Sequence, residues 1–396
     1  MLFTITRKLV FQILCFLLPA TSLGGTRLVV SDGLEDLYFK IKSQKTIGKV
    51  DALFRNLQRK SGFNGVVLIS EDKHVLYKRA FGFANLSSRE PLTTESRFQL
   101  ASVSKQFTAV GIMMLKERGL IGYEDKVTKY YPRFPFPEVT IRQLLTHHAG
   151  LPDYRWFCDT LLENKETPLS NQDLMRMFEK HRPNAYFLAG SRFSYSNTGY
   201  AVLAAVIEQV SGIHFSKFMK LAVFDPLGMK NTQVYSKCEC VATPGNVTGY
   251  ERNGRWKAQN DCFNGITGDK NVYSTVDDLF RWDLALYTDK PVKQSTLREA
   301  FEPSDPGRKG VKNYGFGWRI NTLNPEKKIV YHSGWWRGYR TFFLRNISDG
   351  NSIIVLSNTV NYSLNSLGYL YELIRENDLQ SLNGDDAGGT YDNPDS

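Results

Sequence analysis

Strand-type runs lie near both ends of the chain and a long stretch that reads as helix separates them, an order that leaves few folds open. Gly65–Ser70 and His74–Phe81 are β-type runs joined by the polar Glu71-Asp72-Lys73, a hairpin signal. Strand signals return at Tyr314–Asn321, Lys328–His332, Tyr339–Arg345 and Ser352–Ser357. Thr248–Arg252 and Arg255–Lys257 flank Asn253-Gly254, a pair that favours a two-residue hairpin turn. In the middle, Ser102–Arg118 stops at Gly119, Ile141–Thr146 starts behind Thr140 as N-cap, Asn171–Glu179 follows, and Thr198–Val210 stops at Gly212. Ahead of the first strand, Ile47, Val50, Leu53, Phe54 and Leu57 recur at helical spacing. A closing helix is expected near Ser363–Arg375. The pattern predicts one α+β domain over residues 46–375, an antiparallel sheet flanked by helices with an inserted all-helical lobe.

The 396 residues can bury a full core, and 42% hydrophobic with 23% charged residues are globular values. The start departs from that average. Arg7 and Lys8 precede the apolar run Leu9–Ala20, interrupted only by Gln12, and Thr21, Ser22, Gly24 and Gly25 continue the small residues begun at Ala20. This is the layout of a secretory signal over residues 1–24, and the run is too short for a spanning helix. Cleavage after Ser22 or Gly24 fits, with an uncleaved anchor as the alternative; the expected location is periplasmic or secreted. Residues 25–45 lack a pattern and read as a linker or arm, and residues 376–396 read as a disordered tail.

Loss of the signal removes Cys15 and leaves Cys158, Cys238, Cys240 and Cys262, an even set that permits disulfides in an exported chain. Cys238 and Cys240 are too close to pair comfortably with each other, which leaves Cys158 and Cys262 as outside partners; buried thiols are the alternative. No Cys-x-x-Cys or paired-histidine spacing calls for a metal, and nothing calls for a cofactor. The net charge of +10 drops to about +8 without Arg7 and Lys8, and the basic residues are scattered, so no nucleic-acid partner is implied.

The chemistry concentrates in three short motifs. In Gln99-Leu-Ala-Ser-Val-Ser-Lys-Gln106, Ser102 and Lys105 are three apart at the start of a helix, where their side chains share a face. A serine hydroxyl needs a neighbour to take its proton, and a lysine does so only where its neutral form is favoured. The same spacing at Ser70–Lys73 falls on a hairpin turn, where the side chains need not meet. Tyr195-Ser196-Asn197 precedes the next helix, offering a phenol as proton shuttle and an amide for substrate; the alternative is a core aromatic and a helix cap. Tyr391–Asn393 repeats the spacing in the tail. His332-Ser333-Gly334 ends a strand, and its small residue and glycine admit close approach of a substrate backbone. The rival Lys60-Ser61-Gly62 ends a helix.

Taken in order, Ser102/Lys105, Tyr195/Asn197 and His332/Gly334 resemble the superfamily of class C β-lactamases, D-Ala-D-Ala carboxypeptidases and family VIII esterases, the penicillin-recognising serine hydrolases. The likeness covers roughly residues 46–375 and takes in Phe63-Asn-Gly-Val-Val-Leu-Ile, Leu144-Leu-Thr-His-His-Ala-Gly-Leu-Pro, Pro226-Leu-Gly-Met and Val272-Tyr-Ser-Thr. It implies a β-lactamase/transpeptidase-like fold. Ser102 is then the nucleophile, Lys105 its partner and Tyr195 the proton shuttle, with Asn197, His332, Ser333, Gly334 and Trp335 around the substrate. The backbone N–H groups of Ser102 and Trp335 would form the oxyanion hole.

The third motif begins with His332 where class C β-lactamases carry lysine, so the fixed cation for a β-lactam carboxylate is missing. Arg337 or Arg340 could meet a carboxylate instead, although a surface role is the plainer reading of each. Trp335, Trp336, Trp156 and Tyr154 could form an aromatic wall, and His147-His148 are expected to hold a turn before Gly150. The expected function is hydrolysis of an ester or amide, such as a D-amino-acid peptide, through an acyl-enzyme on a small-molecule or peptide substrate. The alternatives are a β-lactamase and a non-catalytic penicillin-binding receptor or envelope scaffold.

Overall fold

Successive apolar residues at Gly65–Ser70, without alternation, predict a strand covered on both faces. In the computed structural model, which describes residues 26–360 apart from 163–167, 237–244, 252–255, 258–261, 308–309, 311–312 and 324–326, this run lies inside the main sheet. The signal over residues 1–24, the helix expected near Ser363–Arg375 and the tail lie outside the described residues, as do Cys238, Cys240 and the Cys262 side chain; Cys158 is fully buried.

The sheet has seven strands: β1 (Gly65–Glu71), β2 (His74–Phe81), β3 (Asn313–Tyr314), β4 (Arg319–Asn321), β5 (Ile329–Trp336), β6 (Tyr339–Asn346) and β7 (Asn351–Ser357). Their spatial order is β3-β4-β5-β6-β7-β1-β2, and every neighbouring pair is antiparallel. The first and last strands in sequence, β1 and β7, therefore pair, with Val67 opposite Val355. Side chains alternate across this pair. Val67, Ile69, Ile353 and Val355 join Val50, Phe54, Phe63 and Phe81 on the face covered by helix α1 (Thr26–Ser61). Val66, Leu68, Ile354 and Leu356 enter the larger core on the other face.

That core is built on α2 (Lys105–Glu117), α3 (Ile141–Leu145), α4 (Tyr154–Leu161), α5 (Asn171–His181), α6 (Asn197–Ser211), α7 (Phe215–Met219), α8 (Val276–Ala285) and α9 (Gln294–Ala300). Thr140 and Gln143 form a capping box on α3, and Gly212 closes α6 in the left-handed conformation at φ +73°. The helices α3 to α7 make up the lobe inserted between the two halves of the sheet. The fold is thus the mixed one expected, helices packed on an antiparallel sheet. No helix among the described residues is long and apolar enough to cross a membrane.

Three expectations need correction. Backbone helix begins at Thr26, so most of the 25–45 segment read as linker or arm belongs to α1. A helix satisfies its own backbone without an apolar stripe, and no proline interrupts this one. The run Tyr314–Asn321 is not one strand but two short ones, β3 and β4, joined through Gly315–Trp318 with Gly317 at φ +79°. Finally, the helix expected from Ser102 opens with a 3-10 turn, Ala101–Ser104, before α2 begins at Lys105.

Candidate active site

The Ala101–Ser104 turn matters because side chains three apart eclipse in 3-10 geometry. Ser102 and Lys105 are brought together in this way, and Lys105 Nζ lies 3.0 Å from Ser102 Oγ. Ala101, just before the serine, holds a left-handed φ of +49°, a strained conformation for a residue with a Cβ. The turn is pinned from both sides. Leu100 N–H donates to the Val272 carbonyl at 2.8 Å, and the Leu100 carbonyl accepts from Thr341 Oγ1 at 2.7 Å. Ser104 Oγ accepts from the Val272 N–H at 3.1 Å.

Lys105 is fully buried. Besides Ser102, its amine reaches Asn197 Oδ1 at 2.8 Å and the Asp269 carbonyl at 2.9 Å. Two of its contacts are thus fixed acceptors that cannot give up a proton. A neutral amine donating to both can turn its lone pair toward the Ser102 hydroxyl.

Tyr195 and Asn197 sit at the start of α6, where Ser196 is the N-cap and accepts from Gly199 N–H. The Tyr195 ring centroid is 5.0 Å from Lys105 Nζ. His147, at φ +62° in the turn before Gly150, stacks against it with centroids 4.3 Å apart, and its Nδ1 accepts from the Ser196 N–H at 3.1 Å. His147 therefore holds the expected turn and also braces Tyr195. Burial, reinforced by Lys105, keeps its imidazole neutral, well below the usual histidine range.

The third motif arrives along β5. A Cβ on Gly334 would fall 2.3 Å from Thr341 Oγ1 and 2.4 Å from the Leu100 carbonyl, so only glycine lets β5 lie against the Ser102 turn. Beyond Tyr331, β4 supplies no partner to β5 among the described residues. The β5–β6 hairpin closes on Arg337 and Gly338, both at positive φ, with Trp336 opposite Tyr339. A pair flanking such a turn exchanges backbone bonds, so the alternate residues Trp335 and Ser333 direct their N–H groups to the unpaired edge.

His332 is placed differently from the expectation. It is 1% exposed, with Nε2 2.9 Å from the Tyr314 hydroxyl and Nδ1 2.7 Å from the Ser333 carbonyl. Both ring nitrogens are engaged by protein, so the imidazole backs the site instead of lining it. Burial, with Arg319 and Lys105 nearby, holds it well below the ordinary histidine range and uncharged.

The cation near this motif is Arg319 on β4, a residue the motifs do not flag. Its guanidinium lies 5.5 Å from the Tyr195 ring centroid and has no ion-pair partner among the described residues. Arg337 and Arg340 instead stack on Trp336 and Trp335, at 5.3 and 4.5 Å. The proposed aromatic wall also divides. Trp335 is 39% and Trp156 72% exposed, whereas Tyr154 is buried and bonded to Asp269, so Tyr154 belongs to the core. A cleft of about 120 Å³ runs along Tyr195, Ser196 and Asn197, bounded by Gly150, Asp153, Arg155 and Phe187.

The rival serine-lysine pair separates in space. Ser70 Oγ bonds to Ser352 Oγ at 2.7 Å inside the sheet, while Lys73 lies over the Tyr287 ring. Lys60 and Ser61 end α1 and Gly62 follows it, and Tyr391–Asn393 lies outside the described residues.

A fold of this kind with a serine-lysine pair beside a tyrosine and an edge strand defines a class of serine hydrolases. The Beta-lactamase family model matches residues 50–373, and the chain belongs to that family of serine hydrolases. It is 39% identical to penicillin-binding protein 4* of Bacillus subtilis over 78% of this chain and 71% of that one. It is 27% identical to a D-aminopeptidase of Cereibacter sphaeroides over 78% of its own length, and spans only 58% of that relative. Among solved structures, the octameric penicillin-binding protein homologue from Pyrococcus abyssi superposes with a TM-score of 0.71 at 28% identity, covering 82% of this chain and 77% of that one.

Proposed function

We propose that this protein is an exported hydrolase that cleaves an ester or amide, such as a D-amino-acid peptide, through an acyl-enzyme on Ser102. The observation that carries the reading is the Lys105 amine, buried and held within 3.0 Å of Ser102 Oγ by two fixed acceptors. Lys105 takes the hydroxyl proton as the oxygen attacks the carbonyl carbon. Tyr195, above the amine, relays a proton to the leaving group, and Asn197 binds the substrate amide. The N–H groups of Ser102 and Trp335 receive the oxyanion, each such donor being worth on the order of 3 kcal/mol. Water then releases the acyl group. Export rests on Arg7, Lys8 and the apolar run Leu9–Ala20.

Arg319 favours substrates that carry a carboxylate, because a cation over Tyr195 without an ion-pair partner among the described residues can receive one. A β-lactam also carries a carboxylate, which Arg319 would meet as it meets a peptide's, but the neutral His332 adds no second charge, so esters and D-amino-acid peptides are expected to be turned over at least as well as β-lactams. A panel of p-nitrophenyl esters, D-amino amides, D-Ala-D-Ala peptides and nitrocefin tests this; fast nitrocefin turnover beside negligible ester and peptide cleavage contradicts it. In Arg319→Gln, KM for a peptide with a free carboxylate should rise about ten- to a hundredfold, the value of a hydrogen bond to a charged group, while a neutral ester changes by less than about threefold. Equal loss on both would remove Arg319 from substrate recognition.

A further inference from the structure

Beneath the site lies a second set of ionisable side chains that the proposed chemistry does not use. Lys270 is 2% exposed. Its amine donates to the Tyr154 hydroxyl at 2.7 Å and to the Ile266 carbonyl at 3.1 Å, and faces Asp269 Oδ1 at 3.4 Å. It also lies 4.9 Å from the Trp336 ring centroid. An ammonium buried this deeply gives up most of its hydration, a loss that a packed apolar side chain would avoid.

Each partner of Lys270 leads to a different part of the site. The Asp269 carbonyl is the acceptor that fixes Lys105, 2.9 Å from its amine. The backbone N–H of Tyr154 donates to Thr198 Oγ1 at 2.9 Å, one residue beyond Asn197. Trp336 follows Trp335 on β5 and bonds through Nε1 to Asn264 Oδ1 at 3.2 Å. We propose that Lys270 is a positioning residue for Lys105: its buried ammonium joins the segments that present Lys105's acceptor, Asn197 and Trp335, and opposes protonation of the Lys105 amine. This rests on Lys105 acting as the base toward Ser102.

The electrostatics agree in sign. Burial lowers the proton affinity of Lys270, Asp269 opposes that effect, and Lys105 reinforces it. Coupling between two charges is mutual, so a charged Lys270 favours a neutral Lys105. The other groups around the pair are Arg155, held by Asp153 at 2.6 Å, and Tyr154 on the Lys270 side. Arg319 and the neutral His147 and His332 lie on the Lys105 side. Tyr195 and Tyr200 place their rings 5.0 and 5.6 Å from Lys105 Nζ.

The test is the pH dependence of kcat/KM for a neutral activated ester in wild type, Lys270→Met, Lys270→Gln and Lys270→Arg, with thermal melting as the check on folding. Activity requires neutral Lys105, so the acid limb follows its protonation. Removing the Lys270 charge lets Lys105 hold its proton to higher pH, and the limb in Lys270→Met and Lys270→Gln should rise by about one unit. Lys270→Arg keeps the charge and should stay within about 0.3 unit of wild type. An unmoved limb in a folded neutral variant overturns the proposal, as does an equal rise in Lys270→Arg. If neither neutral variant folds, Lys270→Arg decides: a limb near wild type supports the proposal and a displaced one overturns it. Wild-type activity in Lys105→Ala would sink the reading of Lys105 itself, whereas dependence on Lys105 with an unmoved limb sinks only the role of Lys270.

Discussion

Ser102→Ala lowers kcat/KM by roughly ten-thousandfold to a millionfold on every ester or amide that the protein turns over. The loss is this large because the oxygen forms the covalent bond, and an alternative nucleophile would have to occupy the same strained turn after Ala101 at φ +49°. Ser104, two residues on, is committed to the Val272 N–H, and Ser70 is bonded within the sheet. The fold should survive. Only one hydroxyl is lost, and Lys105 keeps its bonds to Asn197 and Asp269. Steady-state kinetics with a thermal melt at unchanged midpoint is the check, and turnover retained within tenfold would contradict the assignment.

Lys105→Ala should slow acylation by about a hundred- to ten-thousandfold, the usual contribution of a positioned general base. Deletion of the amine also strands Asn197 Oδ1 and the Asp269 carbonyl, which lose a donor together. Asn197 is then free to turn, so substrate binding is expected to weaken as well. Single-turnover acylation separates the effects: a slow acylation step with normal deacylation supports a base toward Ser102. Normal acylation with slow deacylation would move Lys105 to the second half of the reaction.

Much of the scaffold was legible where local rules decide. The unbroken apolar run in β1, the glycine stop after α6 and the Thr140 cap on α3 each state a local requirement that the structure obeys. The Asn253-Gly254 turn lies outside the described residues, but the short strands on either side of it do pair antiparallel, with Tyr250 opposite Lys257. Spacing also placed Ser102 and Lys105 on one face, and motif order anticipated the meeting of Lys105 with Asn197 and of Gly334 with the serine turn.

The rest depends on partners distant in sequence. Arg319 is an ordinary strand arginine until the sheet carries it to Tyr195, and the His147 brace exists only because α3 and α6 pack together. His332 was expected on the pocket wall, yet Tyr314, from the next strand but one, takes its outer nitrogen and draws it inward. The Asp269-Lys270 pair did leave a trace, two charges between the apolar Ile266 and Val272, but nothing local says that Tyr154 receives them.

The central claim is that one particular alcohol becomes acylated. Intact-mass measurement after exposure to a fluorophosphonate or to benzylpenicillin, followed by peptide mapping, tests it most directly. The expected result is a single adduct per chain on the peptide bearing Ser102, formed in the wild type and absent from Ser102→Ala. No adduct with either probe, or an adduct on another serine such as Ser333, would contradict it.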